Sequence, residues 1–289
     1  MSATLVTGKV RRKGARRAAL RFGWASTLAG VMHTIDVAEV AARDAYVRWS
    51  IDPASVSGCW AVGSSVALLH DREPRPGLGS PWLMVLGKLD EARALFDALA
   101  DLGVGVPAGV TVSAPTYPLV PTQWALEPRG HWDYLVTSAA AARDPGRDVD
   151  VEVLDVADPV VAGQVDAVLD ADNDGAFARP GDADVHTWMG VRDGNELAAA
   201  GALCRTESGA GHLRAITTLS RARGRGYGAA VSAALTRRGL DQLAPEVTLG
   251  VYSDNAGAIR LYERLGYRLV HHFVSAATAT PGDVRDVCM

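Results

Sequence analysis

A glycine-rich turn between a strand and a helix constrains the fold of this chain more than any other feature. Leu213–Thr218 reads as a short strand, and Arg223-Gly224-Arg225-Gly226-Tyr227-Gly228 follows it. An alanine-rich helical pattern then runs from Ala229 to Leu240. A second strand is predicted at Val247–Tyr252, and a second helix begins near Asn255. This order predicts an α/β unit built around the turn.

The turn has the features of an anion-binding site. Its glycines let the backbone approach a phosphate closely, and the first N–H groups of the following helix point at it with the favourable end of the dipole. Arg221, Arg223 and Arg225 would add positive charge around the same place. We therefore expect a ligand that carries a phosphate or pyrophosphate.

Two common nucleotide-binding motifs fit the turn poorly. A P-loop needs Gly-Lys-Ser/Thr where the helix starts, and this chain has Gly226-Tyr227-Gly228. Gly224, Gly226 and Ala229 match the dinucleotide pattern G-x-G-x-x-G/A, which is weak evidence alone. That pattern also requires an acidic residue closing the next strand, and here the strand ends in Tyr252-Ser253.

The second helix decides between the remaining possibilities. Its sequence, Asn255-Ala256-Gly257-Ala258-Ile259-Arg260-Leu261-Tyr262-Glu263-Arg264-Leu265-Gly266-Tyr267, resembles the closing motif of the GNAT N-acetyltransferases. The glycine-rich turn is similar to their acetyl-CoA pyrophosphate loop. The resemblance covers roughly the last half of the chain. It implies the α/β (α+β) GNAT acyl-CoA N-acyltransferase fold, a mixed and mostly antiparallel sheet flanked by helices. It also implies acetyl-CoA as cosubstrate and no metal.

The first half repeats the order of strands and helices without the glycine-rich turn, because Leu86-Gly87-Lys88-Leu89-Asp90 offers one glycine and one lysine. The predicted elements are a helix at Ile35–Tyr46, a hairpin through Gly63-Ser64, a strand at Trp82–Leu86, a helix capped by Asp90, and strands at Val110–Val112 and Trp132–Val136.

These patterns predict a tandem arrangement of two GNAT-like domains. We expect a basic flexible extension at residues 1–20, a degenerate GNAT-like domain at 21–139, a linker at 140–148 and a catalytic, acetyl-CoA-binding GNAT domain at 149–289. An unrelated α/β domain in the first half is the alternative.

The resemblance implies roles for individual residues of the cofactor site. The backbone of Ile216 and Thr218 would bind the pantetheine arm as an added strand. Asn255 would hydrogen-bond the same arm, cap its own helix, or do both. The pyrophosphate would lie against the turn and the first helical amides, formed by Arg223, Gly224, Arg225, Gly226, Tyr227, Gly228 and Ala229.

Two residues are the candidate catalytic groups. By the resemblance, the Tyr262 hydroxyl donates a proton to the departing CoA thiolate, although Tyr262 shares a helical stripe with Leu265 and could be an ordinary core tyrosine. Many relatives place a glutamate, as general base, on the strand before the loop, where this chain has Arg214. His212 is our candidate base because its reference pKa is near neutral; a strand-end histidine is the alternative.

The composition limits partners and compartment. The net charge of −4 and the 48% hydrophobic content give no general attraction to nucleic acid or membrane. The basic segment within residues 1–21 contains no aromatic residue to stack on bases, and no stretch reaches the ~20 apolar residues of a membrane span. Cys59, Cys204 and Cys288 are far apart, which favours free thiols in a reducing, cytoplasmic compartment without a metal site.

The predicted function is direct transfer of an acetyl group from acetyl-CoA to a primary amine of a small molecule or peptide, by a protein that could form a homodimer. Two alternatives stay open. One is a non-catalytic acyl-CoA-binding regulator. The other is an acetyltransferase that resembles mycothiol synthase, whose acceptor is the amine of a cysteinyl glycoside.

Overall fold

The computed structural model describes residues 32–71, 80–146 and 148–278. The basic extension predicted at 1–20 and Cys288 lie outside these residues. The strands are β1 (His33–Thr34), β2 (Val56–Val62), β3 (Ser65–His70), β4 (Trp82–Leu86), β5 (Gly109–Ser113), β6 (Leu126–Ser138), β7 (Glu152–Leu154), β8 (Val185–Asp193), β9 (Glu196–Arg205), β10 (Gly211–Thr218), β11 (Glu246–Tyr252) and β12 (Arg268–Thr278). The α-helices are α1 (Val37–Arg43), α2 (Ala45–Ser50), α3 (Leu89–Asp101), α4 (Pro159–Asp172), α5 (Tyr227–Gln242) and α6 (Ala256–Arg264), and 3-10 turns lie at Pro53–Ser55, Ala114–Leu119, Thr122–Trp124 and Ser220–Ala222.

The predicted strands and helices around the glycine-rich turn are confirmed, and two details of the first half were wrong. The helix predicted at Ile35–Tyr46 is two short helices, because Asp44 adopts an extended backbone and its carboxylate accepts a hydrogen bond from the amide of Val47 at the start of α2. Asp90 does not cap α3. It lies in the first turn, after Lys88 at the N-cap, where its charge favours the helix dipole.

The strands form one mixed sheet in the order β1-β2-β3-β4-β5-β12-β6-β11-β10-β9-β8-β7. Among the described strands, β4 with β5 and β10 with β11 are the parallel pairs, and each is joined by a helix, α3 or α5. The other pairs are antiparallel. The predicted sheet, mixed and mostly antiparallel with flanking helices, is confirmed.

The period-2 alternation of strand side chains separates two apolar cores on the two faces of the sheet. On β6, Tyr134 packs with Val40 and Val47 of α1 and α2. Its neighbour Leu135 packs on the opposite face with Val231 of α5. Helix α4 lies on the same face as α1 and α2, because β9 residues that alternate with Leu203 pack against it.

The last strands of the two halves are exchanged at the centre of the sheet. Strand β6 ends the N-terminal half (residues 32–138) yet pairs with β11 of the C-terminal half (residues 148–278) over seven residues, from Glu246↔Ser138 to Tyr252↔Trp132. Strand β12 ends the C-terminal half and pairs with β5 of the N-terminal half, from Phe273↔Ser113 to Ala277↔Gly109. The two exchanged strands also pair with each other. Each half therefore completes the sheet of the other, while the domain boundaries themselves stay a prediction.

In the N-terminal half, the segment between β4 and α3 corresponds in position to the glycine-rich turn, and its backbone amides are already hydrogen-bonded to side chains. Strands β4 and β5, both fully described, stay paired from Trp82↔Gly109 to Val85↔Val112. At the start of α3 the Gly87 amide donates to the Ser113 hydroxyl at 3.1 Å, and the Lys88 amide donates to the Ser65 hydroxyl at 2.9 Å. Side chains of this half thus occupy the amides that a phosphate would need.

Cleavage between the halves provides a test of the strand exchange. We expect a chain carrying an inserted protease site between Pro145 and Asp148 to stay as one species after cleavage, because three central strand pairings, β6–β11, β6–β12 and β5–β12, hold the pieces together. Size-exclusion chromatography of the cleaved protein should show the mass of the full chain, and separation should require denaturant. Two species of half mass eluting under native conditions would contradict the exchanged topology.

Candidate functional site

The sheet opens between β10 and β11 immediately beyond their third paired residue. Gly211, His212 and Leu213 pair with Val247, Thr248 and Leu249, and the pairing stops there. Strand β10 continues along β9 instead, with a bulge between Arg214 and Thr217. Ala215 within the bulge has a φ of 55°, a left-handed conformation that is uncommon for a residue with a side chain. The bulge redirects β10 away from β11 and leaves a gap in the sheet.

A cleft of about 480 Å³ occupies this gap. It brings together five of the predicted site residues, Ile216, Thr218, Arg223, Asn255 and Tyr262. Pairing of β10 with β11 ends at Leu213, so on the side of β10 away from β9 the backbone of residues 214–218 lies along the cleft and not along a paired strand. This arrangement suits an extended ligand that hydrogen-bonds like a strand.

The glycine-rich turn presents the start of α5 next to the end of β10. Gly224 and Gly226 have φ values of 80° and 90°, and Gly226 is the N-cap residue without a side-chain cap. A Cβ added at Gly228 would lie 3.0 Å from the Thr218 hydroxyl oxygen. The first amides of α5 therefore have no side-chain cap and lie next to Thr218, which lines the cleft; binding of an anion by these amides stays a prediction.

The arginines around the turn are each paired with a carboxylate from another element. Arg221 contacts Glu196 at 2.5 Å, Arg223 contacts Asp172 at 3.0 Å, and Arg225 contacts Asp193. These ion pairs offset the positive charge of the three arginines. We therefore expect the backbone amides at the start of α5 to attract an anion more than the arginine side chains do, whereas the sequence suggested that the arginines would contribute strongly.

Asp172 is a residue of the turn that the sequence did not reveal. It ends α4, and its carboxylate accepts hydrogen bonds from the amide (2.9 Å) and the hydroxyl of Ser220, as well as from Arg223. The Ser220 hydrogen bonds, together with the charge of Arg223, hold the pKa of Asp172 below its usual range. Asp172 and Ser220 are 48 residues apart, so no local pattern could have predicted this contact.

Asn255 caps α6, as predicted. Its side-chain oxygen accepts a hydrogen bond from the Ala258 amide at 3.1 Å. Because the residue also lines the cleft, its amide nitrogen is the group that a ligand arm would contact.

Tyr262 lies both in the core and in the wall of the cleft, and its role as a proton donor stays a prediction. It is 7% exposed, packs edge-on against Tyr267 at 5.6 Å between ring centroids, and lines the cleft. Burial raises the pKa of Tyr262 to about 12, and the nearby Ser232 hydroxyl opposes that rise in part. The phenol is therefore protonated at neutral pH.

A second cleft, of about 720 Å³, opens on the face of α1, α2 and α4. Both halves line it: Tyr46, Ser50 and Tyr134 come from the N-terminal half, and His212 comes from the C-terminal half. The two clefts share four lining residues, Ala176, Phe177, Arg214 and Gly250. His212 and Tyr262, the two predicted catalytic residues, thus lie on opposite faces of one opening through the sheet.

Comparisons with known proteins agree with this geometry. Residues 188–275 match the family described as FR47-like protein. A GCN5-related N-acetyltransferase from Kribbella flavida shares 18% identity at a TM-score of 0.51, over 86% of this chain and 97% of its own. A Drosophila protein shares 17% identity at a TM-score of 0.50, over 78% of this chain and 80% of its own. No curated protein sequence matches the chain.

The chain has a GNAT-like fold, since its architecture resembles that of the GCN5-related N-acetyltransferase from Kribbella flavida. The order of the C-terminal strands and the helix that starts at the glycine-rich turn are the parts of this fold that the sequence motifs predicted. The acetyl-CoA contacts of the individual site residues stay predictions. Within the described residues, no helix is long and apolar enough to cross a membrane, and no group of three or more His, Cys, Asp or Glu could hold a metal ion.

His212, the candidate base, is a member of a buried polar cluster beneath the second cleft of the GNAT sheet. It is 6% exposed, and its Nδ1 lies 2.8 Å from the Thr248 hydroxyl oxygen. The Tyr134 ring stacks near it at 6.5 Å between centroids. Arg214 contacts Asp184 at 2.6 Å, and because a guanidinium group has no acceptor it is no candidate for proton abstraction.

The protonation of Tyr262 can be measured without any ligand. Because burial raises its pKa to about 12, its phenolate should be missing from the absorbance titration at 295 nm up to about pH 11, where free tyrosine has ionised near pH 10. The wild type and Tyr262→Phe should therefore give the same titration curve over that range. A wild-type curve that gains one additional tyrosinate near pH 10 would contradict the predicted environment.

Proposed function

We propose that this protein is an acetyl-CoA-dependent N-acetyltransferase that transfers the acetyl group directly to a primary amine of a small molecule or peptide. The observation that carries the proposal is the gap between β10 and β11, which lies beside an uncapped helix start and has a protonated tyrosine in its wall. The solved structure from Kribbella flavida, described as a GCN5-related N-acetyltransferase, supports it.

The residues of the first cleft fit acetyl-CoA. The α5 amides at the glycine-rich turn suit the pyrophosphate, and the strand edge at 214–218 suits the amide-containing pantetheine arm. Ile216 and Thr218 would hold the arm by backbone hydrogen bonds, with Asn255 opposite. Bound there, acetyl-CoA supplies a thioester, and the chain positions that thioester at the opening shared by both clefts.

Tyr262 would act on the leaving group. Its phenol, neutral at physiological pH because burial raises its pKa to about 12, can donate a proton to the sulfur as the carbon–sulfur bond breaks. The acceptor amine would approach from the second cleft, whose walls come from both halves. In this arrangement the N-terminal half takes part in acceptor selection without binding a cofactor of its own.

A glycine substitution tests cofactor binding separately from turnover. Gly228→Ala places a methyl group at the start of α5, next to the Thr218 hydroxyl, while alanine favours the helix. We expect calorimetry to show CoA binding weakened roughly tenfold, equivalent to ~1.4 kcal/mol, without a loss of thermal stability.

Gly163→Ala is the matched control for this experiment. Gly163 lies on α4, and an added Cβ there has no atom within 4 Å. It should leave CoA affinity unchanged. Equal CoA affinity in Gly228→Ala and the wild type would place the cofactor elsewhere.

Removal of one hydroxyl tests catalysis. Tyr262→Phe should lower kcat by on the order of 10²-fold and change CoA affinity little, because the proton donor is lost while the ring still packs. Turnover is followed as thiol release from acetyl-CoA with a panel of primary amines that includes small amines, peptide N-termini and a cysteinyl glycoside. Turnover with the cysteinyl glycoside would indicate that the chain acts like mycothiol synthase.

Tyr267→Phe is the control for Tyr262→Phe. It removes a hydroxyl from the adjoining ring, whose partner is Thr236 at 2.7 Å, and should reduce stability by about 1 kcal/mol while kcat stays near the wild-type value. CoA binding without turnover of any amine would favour the acyl-CoA-binding regulator instead.

A further inference from the structure

The buried polar cluster beside the second cleft consists of Ser50, Tyr134, Thr248 and His212. The donor and acceptor of each hydrogen bond in it can be assigned in turn. The Ser50 hydroxyl donates to the Tyr134 hydroxyl oxygen at 3.0 Å. Tyr134 in turn hydrogen-bonds the Thr248 hydroxyl oxygen, and burial keeps Tyr134 protonated by raising its pKa. Because the single hydrogen of Thr248 goes to the Gly211 carbonyl oxygen, Tyr134 is the donor to Thr248.

The single hydrogen of Thr248 has an acceptor in the backbone. Its hydroxyl donates to the Gly211 carbonyl oxygen at 3.3 Å. With that hydrogen committed, the Thr248 oxygen can only accept from the nitrogen 2.8 Å away, Nδ1 of His212. This direction of donation assigns the imidazole as the Nδ1–H tautomer, with its basic lone pair on Nε2. The opposite assignment, in which Thr248 donates to Nδ1, would make Nε2 a proton donor.

His212 and Thr248 lie two residues before the positions on β10 and β11 where the two clefts meet. His212 and Thr248 are the second of the three paired positions of β10 and β11. Arg214 and Gly250, two residues further along each strand, line both clefts. His212 itself lines the second cleft, and its side chain lies on the same face of β10 as that of Arg214, so an acceptor amine that enters through this cleft passes the His212 ring.

We propose that Thr248, supported by Tyr134 and Ser50, fixes His212 as the Nδ1–H tautomer so that Nε2 is the general base for the acceptor amine. The inference rests on the function proposed above and adds the base and its positioning residues to it. Two of the positioning residues, Ser50 and Tyr134, belong to the N-terminal half, which therefore contributes to the chemistry and not only to the shape of the cleft.

The protons balance in this scheme. The acceptor ammonium loses one N–H proton to Nε2, which gives an imidazolium with both nitrogens protonated, and that proton passes to solvent. The amine nitrogen then forms the bond to the acetyl carbon while the carbon–sulfur bond breaks. The sulfur takes the Tyr262 proton, and the second proton lost by the nitrogen restores the phenol. The Nδ1–H bond to Thr248 is the same before and after, so the ring need not turn.

Nuclear magnetic resonance of the imidazole nitrogens tests the tautomer without any substrate. In the full chain labelled with ¹⁵N-histidine, and assigned through His212→Gln, the His212 signals above its pKa should show a protonated Nδ1 and an unprotonated Nε2. Thr248→Val, which removes the hydroxyl at nearly constant shape, should give a mixture of tautomers, and Thr248→Ser should restore the Nδ1–H form. A protonated Nε2 in the wild type would overturn the inference.

Kinetics tests the role of the base. His212→Ala should lower kcat at pH 7 by on the order of 10²-fold, and added imidazole should restore part of it. Thr248→Val should lower kcat by roughly tenfold and shift the rising limb of the pH profile while KM for acetyl-CoA holds, and Thr248→Ser should recover both. If the wild type is active and His212→Ala has the same kcat, His212 is not the general base, and the proposed function is unaffected. Absence of turnover with every amine would refute the function, and the nitrogen spectra would still decide the tautomer.

Discussion

The parting of β10 from β11 after Leu213 and Leu249 is the constraint on which the rest of this structure depends. A parallel pair held along its whole length would close the sheet, as β4 and β5 do in the N-terminal half. The bulge at Ala215, which holds a non-glycine residue at positive φ, turns β10 toward β9 and keeps the gap open. A strained residue of this kind costs on the order of 1 kcal/mol or more and persists because buried neighbours fix it on both sides. Both clefts, the helix start and the two candidate catalytic side chains are arranged around that gap.

The exchange of β6 and β12 connects the two halves to the same site. Because β6 pairs with β11, Tyr134 lies beside Thr248 and His212, although it comes from the half without the glycine-rich turn. Helix α2 adds Ser50 to the same cluster. Glu246, at the start of β11, also accepts hydrogen bonds from Arg48 and Trp49 of α2. The N-terminal half, whose serine hydroxyls accept from the amides at the start of α3, thus also contributes side chains to the wall of the second cleft.

Local sequence patterns were sufficient wherever the determining contacts are close along the chain. The sequence predicted the strand before the glycine-rich turn, the helix after it and the Asn255 cap. Each of these depends on a pattern of a few neighbouring residues: apolar alternation in the strand, glycines at the turn and an amide side chain at the helix start. The single helix predicted at Ile35–Tyr46 was wrong for a related reason. Apolar spacing continued through Asp44, but the carboxylate of Asp44 prefers to cap a new helix.

The amino-acid sequence by itself determined the glycine-rich turn, the helix it starts and the tyrosine that follows in α6, because each is set by backbone preferences and spacing within one segment. Only the tertiary structure decided which strands meet at the centre of the sheet, that Asp172 binds Ser220 and Arg223, and that His212 contacts Thr248 near a tyrosine from the other half. Those contacts join residues that lie tens to more than a hundred positions apart. Their physical cause is the pairing of edge backbone groups and the burial of two sheet faces, which no local stretch of residues specifies.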